Sequence, residues 1–115
     1  MISAGEIYVA DLPEAGFHPV IVVSREALNR GRYALVVACT SARFGVRKEL
    51  PNCVPFRAGQ FGFKVDCVAQ CENLLSIDRN QLDLAAGPLG ILDERALRNV
   101  IKAIGYVIES DCEPV

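Results

Sequence analysis

Four consecutive β-branched residues, Val20-Ile21-Val22-Val23, limit what this chain can fold into more than any other feature. Branching at Cβ stiffens χ1, which disfavours a helix and suits a pleated strand. The run is apolar at every position, not at every second one, so the strand must be covered on both faces or sit deep in a barrel. A second apolar run, Ala34 to Cys39, follows and stops at Thr40-Ser41. Between the two, Ser24 is expected to cap a short helical turn reaching Asn29, and residues 29–32 read as a turn around Gly31. Ahead of them, Glu6 to Leu12 partly alternates and reads as a strand. Pro13 and Gly16 then punctuate a loop over residues 13–17.

The middle of the chain is less regular. Ala42 to Lys48 is basic, contains Gly45 and reads as a mobile loop. Glu49-Leu50 is expected to begin a short strand that Pro51 and Pro55 stop, and Phe61-Gly62-Phe63 and Cys67-Val68-Ala69 read as further short strands. Asp78 and Gln81 have capping-box spacing, which predicts one helical turn there. The clearest helix is the last. Leu97, Val100, Ile101, Ile104 and Ile108 recur three to four residues apart as one apolar stripe, with Asp93 as N-cap. Asp111 to Val115 reads as a frayed tail. These elements predict a mainly β fold with α, a small barrel or curled sheet carrying an amphipathic C-terminal helix, in one domain spanning residues 1–115.

Composition bears on partners. A 51% hydrophobic, 23% charged chain is not a disordered one. The net charge of −2 counts against nucleic-acid binding unless the positive charges cluster. They partly do, because Arg25, Arg43, Arg47, Lys48 and Arg57 fall in the first half while Asp83, Asp93, Glu94 and Glu109 crowd the second. A dipolar surface of that kind can steer a polyanion to one face. No secretory leader is visible and no apolar stretch is long enough to cross a bilayer, so the expected location is the cytoplasm, away from the membrane. The five cysteines form no CxxC pair and accompany a single histidine. No metal or other cofactor is expected from them, and they read as small buried hydrophobes in a reducing compartment.

At the level of motifs the chain resembles the MazF/PemK family. Gly5 to Leu12 is similar to that family's opening Gly-acid-Ile strand, which ends in Asp-Leu. His18-Pro19-Val20-Ile21-Val22-Val23-Ser24 resembles its Arg-Pro-Val-Leu-Val-Val-Ser strand, and Val37-Ala38-Cys39-Thr40-Ser41 its strand ending in Thr-Ser. Cys67 to Asp78 resembles the block that closes on Thr-Ile-Asp. The resemblance implies a small SH3-like β-barrel of the CcdB/MazF type with a C-terminal helix, acting as a homodimer. It implies a type II toxin that cuts single-stranded RNA at short sequence motifs without a metal, using the ribose 2′-hydroxyl as nucleophile. Its partners would be that RNA and a cognate antitoxin. The related CcdB toxin shares the fold and poisons gyrase, so a non-catalytic protein-binding module is the alternative.

Such cleavage needs a base for the 2′-hydroxyl proton, an acid for the 5′-oxygen, and donors for the phosphoryl oxygens. The family's usual pair is an Arg before the Pro of the second strand and the Thr ending the next long strand. Thr40 matches the Thr. His18 stands where the family has Arg; it lacks the forked permanent charge but can serve as acid or base. Arg43 is the candidate charge stabiliser, with Arg25 and Arg47 as further phosphate contacts and Ser41 beside Thr40. Gln70, Glu72 and Asn73 fall where relatives carry an Arg, an acid and a polar residue, and Gln and Asn can read the edges of unstacked bases. Catalysis is therefore expected from His18, Thr40 and Arg43, and RNA binding from Arg25, Ser41, Arg47, Gln70, Glu72 and Asn73.

Overall fold

Six strands pair into one antiparallel sheet, and its curl follows from how the longest strand bends. The computed structural model describes residues 1–109. The strands are β1 (Glu6–Leu12), β2 (Gly16–Val22), β3 (Tyr33–Thr40), β4 (Cys53–Phe56), β5 (Cys67–Asp78) and β6 (Gly90–Ile91). The helices are single turns α1 (Glu26–Asn29) and α2 (Phe44–Arg47), a 3-10 turn at Arg79–Gln81, and α3 (Glu94–Val107). Strand order across the sheet is β4-β5-β3-β2-β1-β6. The β3–β5 ladder jumps register, from Val37↔Leu74 to Cys39↔Ala69, leaving more residues on β5 than on β3. Extra residues on one strand bend it and increase the local twist, which rolls the sheet into a half-barrel.

The β-branched run behaves as its composition requires. Val20, Ile21 and Val22 are all fully buried. Ile21 joins one cluster with Ile7, Val37, Cys71 and Val100, whereas Val20 and Val22 join a second with Tyr8, Ala10, Val36 and Ala38. The first cluster lies between the sheet and α3. Asp93 caps that helix by accepting the Ala96 N–H at 2.8 Å. Its inward face is Val100 and Ala103 with Ala96, Leu97, Ile104 and Val107 packed around them. Of the expected stripe, Ile101 and Ile108 turn outward; Ile108 is the C-cap, one residue past the helix. The capping box at Asp78 and Gln81 is formed, with Gln81 Oε1 accepting the Asp78 N–H and Asp78 Oδ1 accepting the Asn80 N–H, both at 2.9 Å.

Several expectations are corrected. Ser24 does not cap α1, whose N-cap is Arg25 without a side-chain bond. The Ser24 hydroxyl instead accepts the Leu35 N–H at 2.9 Å and meets buried Asn29, whose Nδ2 donates to the Ile2 and Ser24 carbonyls. A buried amide must be satisfied, and this demand outranks the cap. Phe17 is not in a loop but in β2. Residues 42–48 contain a helical turn, α2, and Glu49-Leu50 is a turn rather than a strand. The strand starts at Cys53 and includes Pro55, tolerated because β4 is the sheet edge. Phe61-Gly62-Phe63 is a tight turn in which Phe61 has φ +50°. Cys67-Val68-Ala69 is only the start of β5; the polar Gln70, Glu72 and Asn73 hid the rest. The expected tail at 111–115 lies outside the described residues. No helix among the described residues is long and apolar enough to cross a membrane.

Candidate functional site

Continuing the β2–β3 register two residues past Val20↔Ala38 brings His18 opposite Thr40. Both side chains line one groove of about 500 Å³, together with Ser41, Lys64, Phe17 and Val65. The β1–β2 hairpin supplies one wall, the end of β3 another, and the loop before β5 the third. None of the groove's lining residues is acidic, and Lys64 brings an ammonium.

The hydroxyl of Thr40 is oriented by its own strand end. Its Oγ1 accepts the Ala42 N–H at 3.2 Å. With that lone pair occupied, the O–H proton remains available to a ligand oxygen. The same bond that finishes the strand therefore also aims a donor.

His18 is held differently. Nδ1 lies 3.2 Å from the Cys39 carbonyl oxygen and Nε2 lies 3.1 Å from the Ala15 carbonyl oxygen. Carbonyls only accept, so a neutral ring donates to one of them and a doubly protonated ring to both. The imidazole ties the hairpin to the end of β3. To exchange a proton with a ligand it must let one carbonyl go.

Two thiols also border the groove, and neither is a nucleophile. Burial, then neighbouring Cys67 and Cys71, raises the Cys39 thiol well above its ordinary 9.0. Burial, then the charge of Asp66, pushes Cys67 up to about 11. Both stay protonated and neutral near pH 7. Cys53 and Cys71 are buried as free thiols too, and Cys112 lies outside the described residues.

The remaining expected residues spread out. Ser41 lines the groove. Arg43 is not among the lining residues but follows Ala42, which is; it has φ +54°, a left-handed conformation rare for a residue with a Cβ, and its exposed side chain makes no ion pair among the described residues. Arg47 turns back, its Nη1 donating to the Ala42 carbonyl at 3.1 Å, so it braces the groove wall. Arg25 lies past the far end of β2, ~20 Å of strand away at 3.3 Å per residue. Gln70 and Glu72 share one face, 3.5 Å apart, and Asn52 donates to Glu72 at 2.9 Å, all beside β4. Asn73 lines a different recess with Leu12 and Gln81. None of these three lines the His18–Thr40 groove, and Asn73 lies apart from Gln70 and Glu72.

Lys64 and Val65 were not foreseen. They stand on a loop whose only sequence signal was a lysine between glycines and an acid. Asp66 builds that loop: Oδ1 accepts the Ala58 N–H at 2.8 Å and Oδ2 pairs with Arg57 at 3.1 Å. A second recess, about 460 Å³ between β4 and α3, is mainly apolar and has no hydroxyl–imidazole pair. Of these two recesses only the first brings a hydroxyl and an imidazole together.

The chain is similar to known proteins in both sequence and fold. The family model for PemK-like, MazF-like toxins of type II toxin-antitoxin systems matches residues 3–108. Endoribonuclease EndoA of Bacillus subtilis is 31% identical over 88 residues, covering 71% of this chain and 75% of the relative. Endoribonuclease MazF of Staphylococcus saprophyticus is 24% identical over 110 residues, covering 90% and 88%. Among solved structures, a mycobacterial endoribonuclease in complex with its cognate antitoxin superposes with a TM-score of 0.79 at 19% identity, covering 99% of this chain and 100% of that one. At that identity the superposition shows a shared fold.

Proposed function

This chain belongs to the PemK-like, MazF-like toxin family of type II toxin-antitoxin systems, and on that footing we propose that it is an endoribonuclease cutting single-stranded RNA in the His18–Thr40 groove. The observation that carries the reading is the groove itself, whose lining holds a hydroxyl, an imidazole and an ammonium and no acidic residue. In the proposed reaction the ribose 2′-oxygen attacks phosphorus and the bond to the 5′-oxygen breaks. A 2′,3′-cyclic phosphate and a 5′-hydroxyl result. Thr40 and Lys64 donate to the phosphoryl oxygens, Arg43 adds charge from the groove edge, and His18, released from one carbonyl, carries the proton. Ser41 and Arg47 complete the RNA contacts on this wall. No metal is required by these steps.

The proposed assembly is a homodimer restrained by an antitoxin segment that occludes the groove. The antitoxin seen bound to the mycobacterial endoribonuclease supports such a partner. In a dimer, Arg25, Gln70, Glu72 and Asn73 would serve RNA only if brought near the groove of the other protomer.

The test is incubation of the purified chain with long RNA in EDTA. Discrete cuts with cyclic-phosphate ends, lost in Thr40→Ala, support the enzyme. The engagement of both His18 nitrogens by carbonyls favours a second reading, a non-catalytic toxin acting on a protein such as gyrase. Intact RNA with gyrase arrest would establish that reading instead.

A further inference from the structure

Phe17 is the odd member of the chain's five phenylalanines. Phe56 stacks on Phe63 at 5.0 Å and meets Phe61 edge-on at 6.0 Å. Phe44 lies under two cations, Arg57 at 5.1 Å and Lys48 at 5.8 Å. Phe17 has no ring or cation partner among the described residues and is 74% exposed. It is also not on a wandering segment, because β2 holds it opposite Asp11 in the β1 ladder.

An aromatic ring this exposed gives up the burial that usually stabilises it. Its place makes sense of the loss. Phe17 immediately precedes His18, lines the same groove as Thr40 and Lys64, and shares it with Val65, itself 57% exposed. Apolar side chains standing beside a phosphate-binding wall are how proteins hold single strands, with backbone charge met by cations and hydroxyls and bases met by π faces. The lack of any acidic lining residue favours a polyanion over an acidic peptide as occupant.

We propose that Phe17 is the base platform of this groove: the base next to the phosphate at Thr40 unstacks from its neighbours and lies on the Phe17 ring, against Val65. The proposal rests on the RNA-cutting reading above and adds to it the residue that grips the base.

The chain has no tryptophan, so Phe17→Trp installs a single fluorescent reporter in the proposed contact, and Leu28→Trp, 67% exposed on α1, is the control. Both full-length variants are titrated with single-stranded 2′-O-methyl RNA, which lacks the attacking hydroxyl, while unmodified RNA reports cutting. RNA should quench the tryptophan at position 17 and not that at 28. Phe17→Leu, apolar but without a π face, should bind RNA about ten- to a hundredfold more weakly, whereas Phe17→Tyr binds as the parent does. If the parent binds and cuts RNA but Phe17→Leu binds equally well and the position-17 reporter is not quenched, the platform is overturned and the nuclease reading survives. If the parent neither binds nor cuts RNA, both fall. If emission at position 17 changes with protein dilution alone and RNA adds nothing, the ring belongs to a contact between copies and the proposal is overturned.

Discussion

His18 Nδ1 lies 3.2 Å from the carbonyl oxygen of Cys39, the residue directly before Thr40. The lone imidazole of the chain is therefore coupled to the backbone that aims the candidate phosphate donor. Two roles follow for one ring, a strut between hairpin and β3 and a proton carrier.

His18→Gln keeps a donor for the Cys39 carbonyl but cannot move a proton. If His18 carries the proton, kcat falls about a hundredfold or more while the melting temperature stays near the parent's. Full activity would leave His18 a strut alone.

Thr40→Ala removes the aimed hydroxyl and should lower kcat by about a hundred- to a thousandfold, the usual loss for one oxyanion donor. Thr40→Ser restores most of it. Melting temperatures of both variants should stay near the parent's, since Thr40 is only half-buried. A Thr40→Ala protein that cuts RNA at the parental rate would remove Thr40 from the chemistry.

Gly62 and Gly90 hold two backbones in contact. A Cβ at Gly62 would stand 2.1 Å from the Leu89 carbonyl oxygen, and one at Gly90 would stand 2.0 Å from that of Phe61. Gly62 also has φ +89°. Alanine at either position should destabilise by roughly 3 kcal/mol or more. Gly45→Ala, with no atom within 4 Å of the new Cβ, should be neutral or stabilise by up to about 1 kcal/mol. Denaturant unfolding of the three variants checks the contrast.

Burial, then the charges of Cys53 and Glu72, pushes the Cys71 thiol up to about 12, and burial with Asp66 pushes Cys67 up to about 11. The folded chain thus holds these protons more tightly than the unfolded one. The resulting stability is complete below the ordinary 9.0 and is lost as pH rises through 11 to 12. Thermal melts should show a decline that begins above pH 9.0 and is shallower in Cys71→Ala. A parental curve flat up to pH 11 would contradict it.

The Ala58 N–H, then Arg57, hold the Asp66 carboxyl below its ordinary 3.8. Its contribution is present above that value and is lost as pH falls through the lower folded one. Asp66→Ala should speed amide hydrogen exchange across residues 57–66, the loop that carries Lys64, and weaken RNA binding with little change in global melting. Unaltered exchange there would show that the loop needs no carboxylate.

The amino-acid sequence by itself determined β1, the buried centre of β2, β3, the Asp78 capping box and the Asp93-capped helix. Each is written in residues close along the chain, as periodicity, β-branching or a cap three residues from its partner. The family was legible in the same way, as short ordered motifs. Only the tertiary structure decided where β5 bends, that Pro55 sits in an edge strand, that Lys64 and Phe17 join His18 and Thr40, and that Gln70, Glu72 and Asn73 leave them. Those outcomes depend on pairings between distant strands, among them the register jump between β3 and β5, some thirty residues apart. Register is settled by how two apolar faces meet across space, which no local spacing encodes.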